Sequence, residues 1–279
     1  MTPTPRAEDL ELMLFAKEPK LVSRARNAGL RSMIVDLEWR GKAMRQRDLD
    51  TEINHDRPED LETLCNLGVP LRTCRLNRFG TWTTGEVEAA LAAGANRLFL
   101  PMAETVQEVE TTLATVGGRC ELGILVETQR AVRAADELAS LPLSCVYVGL
   151  NDLAISRSRE GVVGSIFDAL ADGTVESLRK IFCDIPFGFG GVTVVDGGDP
   201  VPCRLLLAEM ARLRCGFSFL RRSFRRDVKG RDMAVEVESI RALWSKLVCR
   251  SQIEIASDHT ELLRRLAVSG TPSDAGASP

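Results

Sequence analysis

A chain of 279 residues with 44% hydrophobic and 27% charged side chains and a net charge of −3 has ordinary globular composition, long enough for one large core. That balance, with only 5% aromatic residues, argues against a nucleic-acid surface, which needs basic patches and stacking platforms. No apolar run nears the roughly 20 residues that span a bilayer, and the N-terminus lacks a basic-then-apolar signal, so a cytoplasmic enzyme or binding protein without membrane contact is expected.

In chain order, short apolar runs that read as strands alternate with helical patterns. The runs fall at 11–16, 32–36, 71–76, 97–101, 122–127, 146–150, 190–195 and 217–221. Helical patterns lie between them, among them 85–93, 106–116, 131–141, 175–182, 203–212 and 234–248. Eight such units predict a TIM (β/α)8 barrel, an α/β single domain. A doubly wound open sheet would carry a glycine-rich turn after its first strand, and Ala16-Lys-Glu-Pro-Lys20 is not one. The domain map is an N-terminal extension over 1–10, the barrel over 11–250, a helical extension over 251–267 and a disordered polar tail over 268–279.

Segments outside the repeat carry their own expectations. The charged loop 40–60, with Arg45, Arg47, His55 and Arg57, is either a lid or a solvated loop. Residues 157–174 and the turn Phe187-Gly-Phe-Gly-Gly191 form a second variable, flexible region. The helix at 232–248 is apolar over a broad face and either closes the barrel or packs on a partner subunit. The eight cysteines are scattered without a Cys-x-x-Cys pair, and the only histidines are His55 and His259, which points to buried reduced thiols and not to zinc.

Two acids are placed alike at consecutive strand ends: Glu127 closes Leu122-Gly-Ile-Leu-Val-Glu127, and Asp152 follows Val146-Tyr-Val-Gly-Leu-Asn151. On neighbouring parallel strands they converge, and a buried carboxylate pair needs a cation or a proton. An oxygen-ligand site for Mg2+ or Mn2+ is the expected answer. Chemistry in a barrel gathers at the strand ends, which here also present Asp36, Glu38, Trp39, Arg75, Asn77, Pro101, Glu104, Asn151 and Arg221-Arg222. Arg75 suits a substrate carboxylate through its planar fork, or else an ion pair with Asp36 or Glu38. Glu104 is a site acid or the start of a helix. The run Arg221-Arg222-Ser-Phe-Arg225-Arg226 is an anion site or a solvated basic turn.

Five motifs then fall in register on successive strands: Ile34-Val-Asp-Leu-Glu38, Cys74-Arg-Leu-Asn77, Ala95-Asn-Arg-Leu-Phe-Leu-Pro-Met102, Leu125-Val-Glu-Thr128 and Val148-Gly-Leu-Asn-Asp-Leu153. Over residues 10–225 the chain resembles the HpcH/HpaI aldolase and citrate lyase β-subunit superfamily of metal-dependent barrels. The resemblance implies Mg2+, Mn2+ or another divalent cation on Glu127 and Asp152, with Arg75, Glu38 and Asp36 catalytic. Arg75, Trp39, Pro101 and Asn151 would bind a small carboxylate or 2-oxo acid. It implies a carbon–carbon lyase or aldolase working through a metal-stabilised enolate of a pyruvate- or oxaloacetate-like acid. It also implies a homo-oligomer, in which the helix at 232–248 packs on a partner subunit. A CoA-thioester lyase or hydrolase and a non-catalytic ligand-binding barrel are the alternatives. The chain departs from the family at Glu38-Trp39, where the relatives carry Glu-His or Glu-Asp, and at Gly149-Leu150, where they carry Gly-Pro. The metal half of the site is thus expected intact and the proton-transfer half altered, with Glu38, Arg40 or His55 assisting.

Overall fold

A computed structural model describes residues 10–40, 56–161 and 164–269. Eight short strands carry the expected apolar runs: β1 Glu11–Phe15, β2 Ser32–Asp36, β3 Leu71–Arg75, β4 Arg97–Leu100, β5 Glu121–Val126, β6 Cys145–Val148, β7 Phe187–Phe189 and β8 Phe217–Leu220. All pair in parallel, in the order β7-β6-β5-β4-β3-β2-β1-β8. The two ends of the sheet meet: Gly216 N–H donates to Phe187 O at 3.0 Å, Val192 N–H to Phe219 O at 2.8 Å and Arg221 N–H to Val192 O at 2.8 Å. The result is a (β/α)8 barrel.

Alternation along the strands divides the core in two. Outward residues pack under the helices. Inward ones (Met13, Ile34, Phe99, Leu125, Cys145, Tyr147, Phe217 and Phe219) fill the lumen as a separate cluster. Tyr147 stacks on Phe219 with ring centroids 3.9 Å apart, and its hydroxyl donates to Gly190 O. Below this layer Arg97 plugs the N-terminal mouth, 2.8 Å from Glu11 and 2.6 Å from Glu121. Above it the next inward positions are ionisable, and they make the site.

Two expectations are corrected. The seventh strand is Phe187–Phe189 and not 190–195, so the first three residues of the supposed flexible Phe-Gly-Phe-Gly-Gly turn are sheet. Phe187 and Phe189 are buried outward, while a Cβ on Gly188 would lie 2.4 Å from Phe217 O. Glycine is therefore what lets β7 approach β8. The single helix expected at 131–141 is two, Gln129–Arg133 and Ala135–Ala139, broken where Ala134 leaves helical geometry at φ −92°, ψ 8°.

The helix Val106–Val116 starts on a capping box, Thr105 with Glu108, and stops on left-handed Gly117. Glu104 lies just before it and pairs with Arg130 at 3.5 Å, so it belongs to the helix entry. The extension expected at 251–267 is the helix Gln252–Ser269, packed on its own barrel through Leu262 and Leu266. Arg250, Asp258 and His259 tie it to the helix Cys203–Arg212. Cys74, Cys145, Cys203 and Cys215 are buried and all eight thiols are free; burial pushes Cys145 up to about 12 and leaves it inert. Among the described residues no helix is long and apolar enough to cross a membrane. Arg45, Arg47, His55 and most of the tail lie outside the described residues.

Candidate active site

At the C-terminal mouth the strand register brings the predicted acids together. Asp36 and Arg75 are paired positions on β2 and β3. Arg75 donates from Nε and Nη2 to the two Asp36 oxygens at 2.8 and 2.7 Å, and its Nη1 lies 3.4 Å from Glu38 Oε2. Its other support is the Phe15 ring, 5.0 Å away. Burial works against the charge on Arg75, but Asp36 and then Glu38 more than offset it and hold its pKa well above the ordinary range. Of the two roles open to Arg75, the ion pair is therefore made. Nη1 and the second Nη2 hydrogen remain for a further oxygen. Asp36 is itself tethered, since its backbone N–H donates to Asp56 Oδ2 at 2.9 Å, and Asp56 pairs with Lys17 at 2.8 Å.

Glu127 follows β5 directly and is 4% exposed. Its Oε2 accepts the Met102 N–H at 3.0 Å, a donor turned inward because Met102 adopts φ 52° after Pro101. Its Oε1 lies over Gly149, where a Cβ would come within 2.4 Å. Burial first, then the charges of Asp152 and Glu38, push Glu127 up to about 8 against the opposing pull of Arg75 and the Met102 amide. Asp152 sits in the first turn of the helix Leu150–Arg159, one residue beyond Asn151, and both are half-buried.

The mouth therefore holds Asp36, Glu38, Glu127 and Asp152 around one guanidinium. Among the described residues no three acids, cysteines or histidines form a complete cage. A magnesium-type ion does not need one, since one or two carboxylates with water and substrate oxygens suffice. Glu127 in the cradle left by Gly149, with the charge of Asp152 near it, fits that requirement: hard oxygens, excess negative charge and, among the described residues, no competing thiolate or imidazole.

The remaining predicted residues divide. Pro101 is buried and sets the turn that aims Met102 at Glu127. Trp39 is 43% exposed on the rim, with its backbone held by Asn77. In the arginine run, Arg225 and Arg226 pair with Glu18 and Asp227 at the surface, while Arg221 leans across Gly191 at the mouth. Sequence reasoning missed Met102, Gly149, Trp82 and Asp56. Only Gly149 carried a legible signal, as the residue opposite Glu127 on the next strand.

No protein-family model and no curated protein sequence matches the chain. Solved structures share its fold. CitE from Mycobacterium tuberculosis, solved in complex with magnesium and pyruvate, has 18% identity and a TM-score of 0.57 over 92% of this chain and 99% of that one. Its fold is also that of the superfamily its strand-end motifs resemble. RipC from Yersinia pestis matches at 15% identity and TM-score 0.56, over 90% of this chain and 100% of that one. A citrate lyase from Burkholderia xenovorans LB400 matches at 15% and 0.56, over 96% and 95%. At these identities the likeness establishes the barrel and leaves the chemistry to the site.

Proposed function

We propose that the chain is a divalent-metal-dependent carbon–carbon lyase or aldolase acting on a 2-oxo acid. The observation that carries this reading is Glu127, buried against Asp152 and Glu38 with its pKa pushed up to about 8. A carboxylate so placed is poised to exchange a proton for a metal ion. Glu127 and Asp152 would hold Mg2+ or Mn2+, which when bound would supply the charge that stabilises an enolate. The magnesium and pyruvate in the CitE complex are consistent with such a site.

The chain's own groups supply the rest. Arg75, fixed by Asp36, offers its uncommitted hydrogens to the substrate carboxylate or the developing oxyanion. In the condensing direction C3 of the 2-oxo acid gives up a proton and bonds to the carbonyl carbon of the partner, whose oxygen takes up a proton. Trp39 has no group to carry that proton. Glu38, 1% exposed and 3.4 Å from Arg75, is the group assigned to move it. Pro101 and Asn151 wall the pocket.

The test is proton exchange. Pyruvate or oxaloacetate incubated with the protein and Mg2+ in D2O should acquire deuterium at C3, and EDTA should stop it. Demonstrable metal binding without exchange across a panel of 2-oxo acids would refute the assignment.

A further inference from the structure

Two residues beyond Glu38 the chain builds a stack that the metal chemistry does not use. The Arg40 guanidinium lies over two indoles, 4.5 Å from the Trp39 ring centroid and 4.7 Å from the Trp82 ring centroid. Every layer has its own support. The backbone N–H groups of Trp39 and Arg40 both donate to Asn77 Oδ1, at 3.0 and 2.8 Å. Asn77 is held in turn by Glu86, which accepts its backbone N–H at 3.1 Å and its side-chain amide at 2.8 Å. Trp82 donates its indole N–H to Arg78 O at 2.9 Å. Its ring lies flat on Gly80, where a Cβ would come within 2.5 Å of it. Gly80, Trp82, Arg40 and Trp39 thus pack in succession on the β2 and β3 side of the mouth.

A guanidinium set against aromatic rings keeps its N–H bonds along its edge. Glu86 Oε1 forms an ion pair with Arg40 Nε at 3.7 Å, longer than a hydrogen bond and confined to that one nitrogen, while Glu86 is also held by Asn77. Arg40 Nε is buried without a hydrogen-bond partner while 40% of the side chain is exposed, so the exposure lies outside Nε. A charged, oriented fork is therefore presented at the rim with its entropy already spent.

We infer that Arg40, clamped by Trp39 and Trp82, binds the carboxylate of the second reactant, the carbonyl compound that joins or leaves the enolate carbon. This inference rests on the carbon–carbon lyase reading. The ligand is a carboxylate and not a phosphate because the clamp offers one cation and one planar fork, which match a monoanion. Arg40 is a specificity residue, and Trp82 and Gly80 are positioning residues that act through it.

The test compares acceptors that differ only in that charge. Addition of pyruvate to glyoxylate and to glycolaldehyde is measured with Mg2+ for wild type, Arg40→Met, Arg40→Lys and Gly80→Ala. Wild type should favour glyoxylate. Arg40→Met should lower the ratio of the two kcat/KM values by about tenfold or more, the usual scale for one charge-assisted hydrogen bond, mainly through KM for glyoxylate. Arg40→Lys should fall between, and Gly80→Ala, which pushes Trp82 off its seat, should lower the ratio while keeping the charge. The ratio is internal to each variant, so a general loss of activity does not mimic the effect. An unchanged ratio in Arg40→Met overturns the inference. If wild type neither condenses nor exchanges pyruvate protons, the enolate reading fails by itself. The clamp is then judged by tryptophan fluorescence with glyoxylate in EDTA: a saturable change lost in Arg40→Met upholds it, and no change, or the same change in both proteins, overturns it.

Discussion

Replacing Glu127 by glutamine should stabilise the metal-free protein at alkaline pH and abolish its response to Mg2+. Glutamine keeps the shape and the acceptor for the Met102 N–H while removing the buried charge. In the wild type the folded-state pKa is raised from 4.5 to about 8, by burial first and then by Asp152 and Glu38. The folded protein therefore holds a proton between those values that the unfolded chain has released. Stability from this group is fully present below pH 4.5 and is lost as pH rises through 8. The displacement corresponds to roughly 5 kcal/mol, an upper figure because the acids around Glu127 rearrange as it ionises. Urea unfolding in EDTA between pH 5 and 8 should show wild type losing several kcal/mol more than Glu127→Gln. At pH 8, Mg2+ at a hundred times its dissociation constant should return about 2.7 kcal/mol to wild type and almost nothing to the variant. Parallel pH curves, or equal stabilisation of both proteins by Mg2+, would refute the assignment of Glu127 as a buried, metal-ready acid.

Gly149→Ala places a Cβ 2.4 Å from Glu127 Oε1; because φ is −85° the backbone accepts it, so the carboxylate must move, at an overpacking cost of about 1–3 kcal/mol. Mg2+ affinity by calorimetry should fall at least about tenfold, and wild-type affinity would dispose of the cradle. Arg97→Met strands the lumen-side Glu11 and should cost about 3 kcal/mol in urea unfolding with metal binding unchanged; a loss below about 0.5 kcal/mol, the range of a surface pair, would mean the plug is ornamental. Arg250 donates to Leu247 O, Ala208 O and Asp258. Arg250→Met should accelerate hydrogen exchange in Gln252–Ser269 selectively; equal protection in both proteins would show that the helix is held by its apolar face alone.

The barrel was legible because eight apolar runs alternate with helical patterns, and in seven of them the predicted strand overlaps the observed one. The failure at β7 has a physical cause. Phe187-Gly-Phe189 reads as a turn by composition, yet Gly188 is demanded by the closeness of the Phe217 backbone, a contact between residues 29 positions apart. Periodicity reports which side of a strand faces the core; it carries nothing about how near the next strand comes. The same limit hid Met102, whose role depends on a backbone amide and a left-handed turn that no side-chain pattern announces. Trp82 was missed because its partner Arg40 belongs to another strand's loop.

Register is the step that turns the scattered rim acids into a site. β2 and β3 pair from Ser32 with Leu71 to Asp36 with Arg75, so aligning two five-residue runs already sets the acid against the guanidinium. β5 and β6 pair up to Val126 with Val148, which puts Glu127 opposite Gly149 at the next step. A parallel sheet points paired side chains the same way, so any other residue at 149 would stand where the carboxylate of Glu127 folds over. Gly149 is therefore the residue that leaves the Glu127 carboxylate its place, whatever follows it at Leu150. Beside Glu38, Trp39 offers no group that titrates near neutral pH and sets its ring against the Arg40 guanidinium. On the proposed reading Glu127 and Asp152 would hold the cation and Arg40 would meet the partner molecule, so the chemistry should follow the metal and the selectivity should follow Arg40.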